Sequence, residues 1–129
     1  PLSVLEKRRS TDSLVVEVLN VIGDVRGRRA ILVDDIVASG GTLVRAAEAL
    51  LAAGAVEVSA YCTHGVFCGD AVALLERSPL KRVVVTNTIT HQCALQSKKI
   101  EVVSVGGHLA KTIRRVFEDR SVSQLFPHY

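Results

Sequence analysis

Residues 31–42 read ILVDDIVASGGT. An apolar run meets two acids, Asp34 and Asp35; two more apolar residues follow, then Ala38, Ser39, Gly40, Gly41 and Thr42. Extended back by one residue, 30–36 (AILVDDI) is an almost unbroken apolar run. Such a run of about four to eight residues suits a strand buried on both faces, as in a parallel sheet. Residues 42–53 (TLVRAAEALLAA) are rich in Ala and Leu and stop at Gly54, the pattern of a helix with a glycine at its end. The stretch therefore reads as strand, small-residue loop, helix.

The same alternation continues outward from it. Downstream, 56–63 (VEVSAYCT), 82–86 (RVVVT) and 100–105 (IEVVSV) read as strands. Residues 70–77 (DAVALLER) read as a helix with Asp70 as its N-cap, and 108–118 (HLAKTIRRVFE) as an amphipathic helix. The latter places Leu109, Ile113, Val116 and Phe117 on one face and Lys111, Arg114 and Arg115 outside. Upstream, 3–5 is a weak strand candidate and 15–21 alternates loosely. Residues 87–99 (NTITHQCALQSKK) form the longest polar stretch and read as a surface loop. From residue 30 onward the order is β-α-β-α-β-β-α. This predicts an α/β fold, a mostly parallel sheet flanked by helices, with residues 1–129 as one domain.

Composition narrows the function. The 129 residues are 48% hydrophobic and 22% charged, so a core forms and disorder is excluded as the main state. The net charge of +3 favours anionic ligands but is too small to indicate nucleic acid, and aromatics at 4% leave few platforms for stacking bases. The Arg26–Arg29 and Arg114–Arg115 charges read as solvated faces. The apolar runs are far short of the ~18 residues of a membrane span. Residues 1–9 (PLSVLEKRR) carry charge where a signal peptide would be apolar, so none is expected. Three cysteines, Cys62, Cys68 and Cys93, make an odd count without tight pairs, and a reducing, cytoplasmic setting is the expectation.

The loop after the acids carries the chemistry. In open α/β sheets, ligands sit beyond the carboxyl ends of strands. A loop of small residues there leaves backbone N–H groups uncovered, and the helix behind it adds free N–H groups and the positive end of its dipole. Ser39 and Thr42 add hydroxyls. This is a phosphate cradle, and the paired acids before it suit a sugar phosphate, whose vicinal hydroxyls donate to carboxylates. The plainer alternative is a tight strand-to-helix turn with Asp residues near its cap. Buried paired acids are costly without partners, which favours the functional alternative. Cys62, His64 and Cys68, like His91 and Cys93, match no zinc spacing. His64 could meet a ligand pocket or an interface, or be structural; Asn87 reads as a loop-fixing residue.

VDDIVASGGT resembles the phosphoribosyl-diphosphate motif of type I phosphoribosyltransferases. Further stretches resemble one branch, ribose-phosphate diphosphokinase, also called phosphoribosyl-pyrophosphate synthetase. EKRR at 6–9 is similar to that family's catalytic flexible-loop motif. YCTHGVF at 61–67, VVVTNTI at 83–89 and IRRVFEDRSVSQLF at 113–126 are similar to its carboxyl-terminal half. The resemblance covers nearly the whole chain, in order.

The resemblance implies a phosphoribosyltransferase-like fold lacking its first strand–helix unit. It implies an enzyme that moves the β,γ-diphosphoryl group of ATP to the 1-hydroxyl of ribose 5-phosphate, giving phosphoribosyl diphosphate and AMP. By it, Ala38, Ser39, Gly40, Gly41 and Thr42 hold the 5-phosphate, Asp34 and Asp35 face the ribose hydroxyls, and Lys7 and Arg9 stabilise the transferring group from a mobile loop. Ser121, Val122 and Ser123 resemble the segment binding a regulatory phosphate or ADP at a subunit contact. Against that stands an ordinary serine-rich turn. Mg2+ is the implied cofactor, held mostly by ATP and by parts of the family outside this chain, with no metal site here. The implied partners are ribose 5-phosphate, ATP through the other half, and further copies in a homo-oligomer of a hexamer-forming family; neither nucleic acid nor membrane is expected.

Two departures qualify this. The family's amino-terminal half and its diphosphate loop have no counterpart in these residues, so the chain alone is expected to be inactive. Ala38 stands where the family usually has an acid, which leaves main-chain donors untouched and removes a carboxylate. The alternatives are a non-catalytic synthetase-associated regulatory subunit, to which the altered loop points, or a phosphoribosyltransferase that consumes the product.

Overall fold

The structure, a computed structural model, describes residues 2–8, 18–90 and 96–126. Four parallel strands form the main sheet in the order β3-β4-β5-β6: β3 Arg29–Val37, β4 Glu57–Gly65, β5 Val83–Thr86 and β6 Ile100–Val103. Helix α1, Gly41–Ala52, joins β3 to β4, and α2, Ala71–Arg77, joins β4 to β5. Helix α3, Gly106–Phe117, follows β6. A separate antiparallel hairpin pairs β1, Val4–Arg8, with β2, Val18–Ile22, Lys7 standing in register with Leu19.

Every strand and helix expected from residue 30 onward is present. The register shows where the core lies. Ala30 and Leu32 of β3 pair with Val58 and Ala60 of β4, and Ala60 and Cys62 pair with Val83 and Val85 of β5. These alternate residues face one side, since side chains alternate along a strand. They make one cluster with Leu43, Ala46, Ala47 and Leu50 of α1 and Ala71 and Leu75 of α2. Leu75, Leu80, Val37, Val58 and Val83 are the largest fully buried side chains.

Three expectations change. The apolar run of β3 predicts burial on both faces, yet Ile31 is 63% and Val33 82% exposed. Both lie on the face opposite α1, at the sheet's β3 edge. An unbroken apolar run therefore does not fix two-sided burial; β4, whose residues from Val58 to Ala60 are all buried, does fit it. Asp70 stands at the start of α2 but makes no side-chain capping bond. Finally, Glu6–Arg8 lies in a strand rather than a loop, because the β-branched run of β2 supplies a backbone partner.

Candidate functional site

β3 ends at Val37, and the chain passes through Ala38 and Ser39 into Gly40, whose φ of 79° lies in the left-handed region. That conformation costs a residue with a Cβ, so glycine suits the position. Space is the second reason: a Cβ at Gly40 would stand 3.2 Å from Cγ and Cδ2 of Leu75, which packs beneath the turn. Gly40 is the N-cap of α1, and its carbonyl accepts the first helical bond from the Val44 N–H at 3.0 Å. No side chain caps the helix. The N–H groups of the first turn therefore stand open at the positive end of the helix dipole. Ser39 and Thr42 are exposed, and their hydroxyls have no partner among the described residues.

Asp34 and Asp35 sit just before this loop. Both are exposed rather than buried, so burial of the acids does not decide between the functional and the plain reading of the turn. Oδ1 of Asp34 accepts the Asp35 N–H at 2.9 Å. Asp34 borders two hollows. One of about 220 Å³ lies between Leu5 of β1, Asp34, Thr42 and Leu43. The other, about 390 Å³, lies on the open sheet face between Val33, Asp34, Tyr61, Thr63 and Val84. Leu5 brings β1 against the acid–loop unit, and Lys7 follows two residues further along that strand. Arg9 lies outside the described residues.

The geometry adds Arg45, which the sequence reading did not single out. Its Nη1 lies 3.5 Å from where a Cβ on Gly41 would stand, one helical turn behind the loop. The i, i+4 spacing from Gly41 was the available signal.

Behind the acids, Cys62 is buried, and burial pushes its thiol from 9.0 up to about 11, with the negative charges of Asp34 and Asp35 adding to the rise. It stays protonated and inert near neutral pH. His64 is the penultimate residue of β4, and its Nδ1 lies 2.8 Å from Oγ1 of Thr88. Thr88 in turn meets Oγ1 of Thr86 at 2.9 Å, and Thr86 donates to the Thr63 carbonyl at 2.6 Å. Asn87 fixes its loop as expected: its Oδ1 accepts the Val105 N–H at 3.0 Å and its Nδ2 donates to Oγ of Ser104 at 3.2 Å. Among the described residues no three His, Cys, Asp or Glu side chains gather as a metal cage. His91 and Cys93 lie outside the described residues.

Ser121, Val122 and Ser123 form a distinct turn, with a 3-10 helix over Ser123–Leu125. Oγ of Ser121 and Oγ of Ser123 lie 2.6 Å apart. Arg115, expected on the solvent side of α3, instead donates from Nη1 to the Ser121 carbonyl at 2.6 Å and to Oε1 of Gln124 at 2.9 Å. Two hydroxyls and a guanidinium thus share one turn. No hydrogen bond among the described residues joins this turn to residues 38–42.

An acid pair, a glycine turn and a helix opening on it, at the carboxyl end of a parallel strand, define a phosphoribosyltransferase-like domain. The family model described as phosphoribosyl synthetase-associated domain matches residues 10–127, and the chain belongs to that family. It is 50% identical over 126 residues to a ribose-phosphate pyrophosphokinase of Clostridium acetobutylicum, covering 98% of this chain and 39% of that one. To the ribose-phosphate pyrophosphokinase of Caldanaerobacter subterraneus subsp. tengcongensis it is 51% identical, covering 98% of this chain and 40% of that one. Among solved structures, phosphoribosylpyrophosphate synthetase from Mycobacterium smegmatis superposes with a TM-score of 0.79 at 36% identity, over 92% of this chain and 37% of that one. The chain spans about two fifths of the length of the curated relatives it matches.

Proposed function

We propose that this chain is the ribose-5-phosphate-binding part, a single domain, of an enzyme that makes phosphoribosyl diphosphate and AMP from ribose 5-phosphate and ATP. The observation that carries this is the uncapped start of α1 behind Gly40, with Asp34 and Asp35 beside it. In this reading the N–H groups and hydroxyls of residues 38–42 take the 5-phosphate. Asp34 and Asp35 accept from the ribose hydroxyls and fix the sugar so that its 1-hydroxyl is presented for transfer. Lys7 and Arg9 neutralise charge on the diphosphoryl group as it moves. ATP is bound mainly by the portion of the relatives that this chain does not match, so these residues alone give no turnover.

The described residues do not fit a magnesium cage of their own, and any Mg2+ belongs with ATP and its phosphates. The turn at Ser121, Val122 and Ser123, gripped by Arg115, is the place for a regulatory phosphate or the phosphates of ADP. The working form is a homo-oligomer in a reducing cytoplasm, in keeping with the free thiols of Cys62 and Cys68. Among the described residues no helix is long and apolar enough to cross a membrane.

A second reading, a non-catalytic associated subunit, is favoured by one observation: Ala38 in the place of the acid. Calorimetric titration of the folded chain with ribose 5-phosphate, and with ribose as control, tests both. Binding that requires the phosphate is the expected result. No binding by a chain with a cooperative melt overturns the cradle and moves the second reading ahead.

A further inference from the structure

The segment after β4, read in the sequence only as part of a family resemblance, is built against the loop. Three successive N–H groups grip two successive carbonyls. Val66 and Phe67 donate to the Val37 carbonyl at 2.9 and 3.2 Å, and Cys68 donates to the Ala38 carbonyl at 3.0 Å. For all three to converge, the chain takes a left-handed turn at Phe67, with φ 48°. A bulky residue there is strained and persists only when its surroundings over-determine it. The surroundings do so. Phe67 is only 6% exposed, and its ring fills the space that a side chain on Gly65 would need. A Cβ on Gly65 would stand 2.5 Å from Cε2 and 2.9 Å from Cζ of Phe67, and 3.1 Å from Cγ2 of Val85.

The grip has a directional consequence. A trans peptide is planar, with its N–H pointing opposite to its C=O. Holding the Ala38 carbonyl toward Cys68 therefore aims the Ser39 N–H the other way, away from Cys68. That N–H has no partner among the described residues.

We propose that Phe67, interlocked with Gly65, is a positioning residue: it fixes the residue 38–39 peptide so that the cradle's first donor is aimed before any phosphate arrives. This rests on the cradle reading given above. The gain is preorganisation, since a donor already in place costs no ordering when the anion binds.

The test compares Phe67→Ala, Gly65→Ala and the double variant with Leu80→Ala, which empties a buried site that makes none of these contacts. Phe67→Leu serves where Phe67→Ala does not fold. The first readout is the amide resonance of Ser39, Gly40 and Gly41 without ligand; the second is affinity for inorganic phosphate. Phe67→Ala and Gly65→Ala are each expected to shift the Ser39 amide and to weaken phosphate on the order of tenfold. Gly65→Ala should add less once the ring is gone, because the two shortest contacts of its Cβ are with that ring and only the 3.1 Å approach to Val85 remains. Leu80→Ala should lower the melting temperature and move neither readout. An unmoved Ser39 amide in the Phe67 variants, or the same changes in Leu80→Ala, would overturn the proposal. If the unaltered chain binds no phosphate, the cradle reading fails, and the amide shifts still decide whether Phe67 sets the loop.

Discussion

Gly40 carries two constraints at once, and they reinforce each other. Its φ of 79° disfavours any Cβ, and the place where a Cβ would go is 3.2 Å from two carbons of Leu75. Leu75 is fully buried and cannot retreat without opening the core beneath α1 and α2. Gly40→Ala is therefore expected to destabilise the chain by about 1–2 kcal/mol from the backbone alone, with the Leu75 contact adding to it. Urea unfolding measures this; an unchanged midpoint would mean that the turn relaxes into another conformation. At this scale the sequence was informative where chemistry follows from residue type. Asp34, Asp35 and the small loop were legible because acids beside glycines at a strand end have few other uses. Arg45 and Phe67 were not. One reaches the loop only through the helical turn, and the other only through the pairing of β3 with β4, which joins residues far apart in the chain.

Among the elements, α2 is short, and its side-chain capping bond is missing at the start, so it is held from outside. Glu76 does much of this. Its Oε1 accepts from the Ser97 hydroxyl, from the Lys98 N–H at 2.8 Å and from the Lys99 N–H at 3.3 Å, tying α2 to the approach of β6. The Ser97 hydrogen bond is the largest influence; desolvation opposes it, and the Lys99 and Lys98 N–H groups with the Lys99 charge add to it, so the carboxyl is held below the ordinary 4.5. A carboxyl whose folded value is depressed adds stability above its ordinary value and loses it as pH falls through the folded one. Glu76→Gln should thus be less stable than the parent at pH 7, and the gap should narrow as pH falls below the ordinary 4.5. Urea midpoints at pH 7 and pH 3 check this; a gap that persists at pH 3 would mean the loss is of shape rather than charge. None of this was legible, since 87–99 read only as a polar loop. By contrast α1, β4 and β5 followed from composition, because long apolar and Ala-Leu runs leave little choice. Residues 6–8 lie in β1, which was not legible because their partner strand lies upstream of the strong pattern, where alternation is loose.

For the molecule as a whole, among the described residues, helices α1 and α2 pack on one side of the sheet, and Ile31 and Val33 stand exposed on the other side at its β3 edge. Sequence periodicity shows that a strand is apolar; it does not show what covers it, and Ile31 and Val33 are the case in point. Helix α3 repeats the lesson. Its apolar stripe of Leu109, Ile113, Val116 and Phe117 is where the spacing put it, yet the helix has no buried residue and Phe117 is 89% exposed. A chain with this surface should bind an apolar fluorescent dye while fully folded, because contiguous exposed apolar area is unusual on a soluble monomer. Val33→Lys should reduce the dye signal. It should leave the melting temperature nearly unchanged, since a side chain 82% exposed loses little packing and an edge strand tolerates lysine. The dye is added well below the melting transition, with near-ultraviolet dichroism confirming native packing. No enhancement by the native chain would show that the face is covered in solution. A large fall in melting temperature on Val33→Lys would show that Val33 packs against something that these strands and helices do not supply.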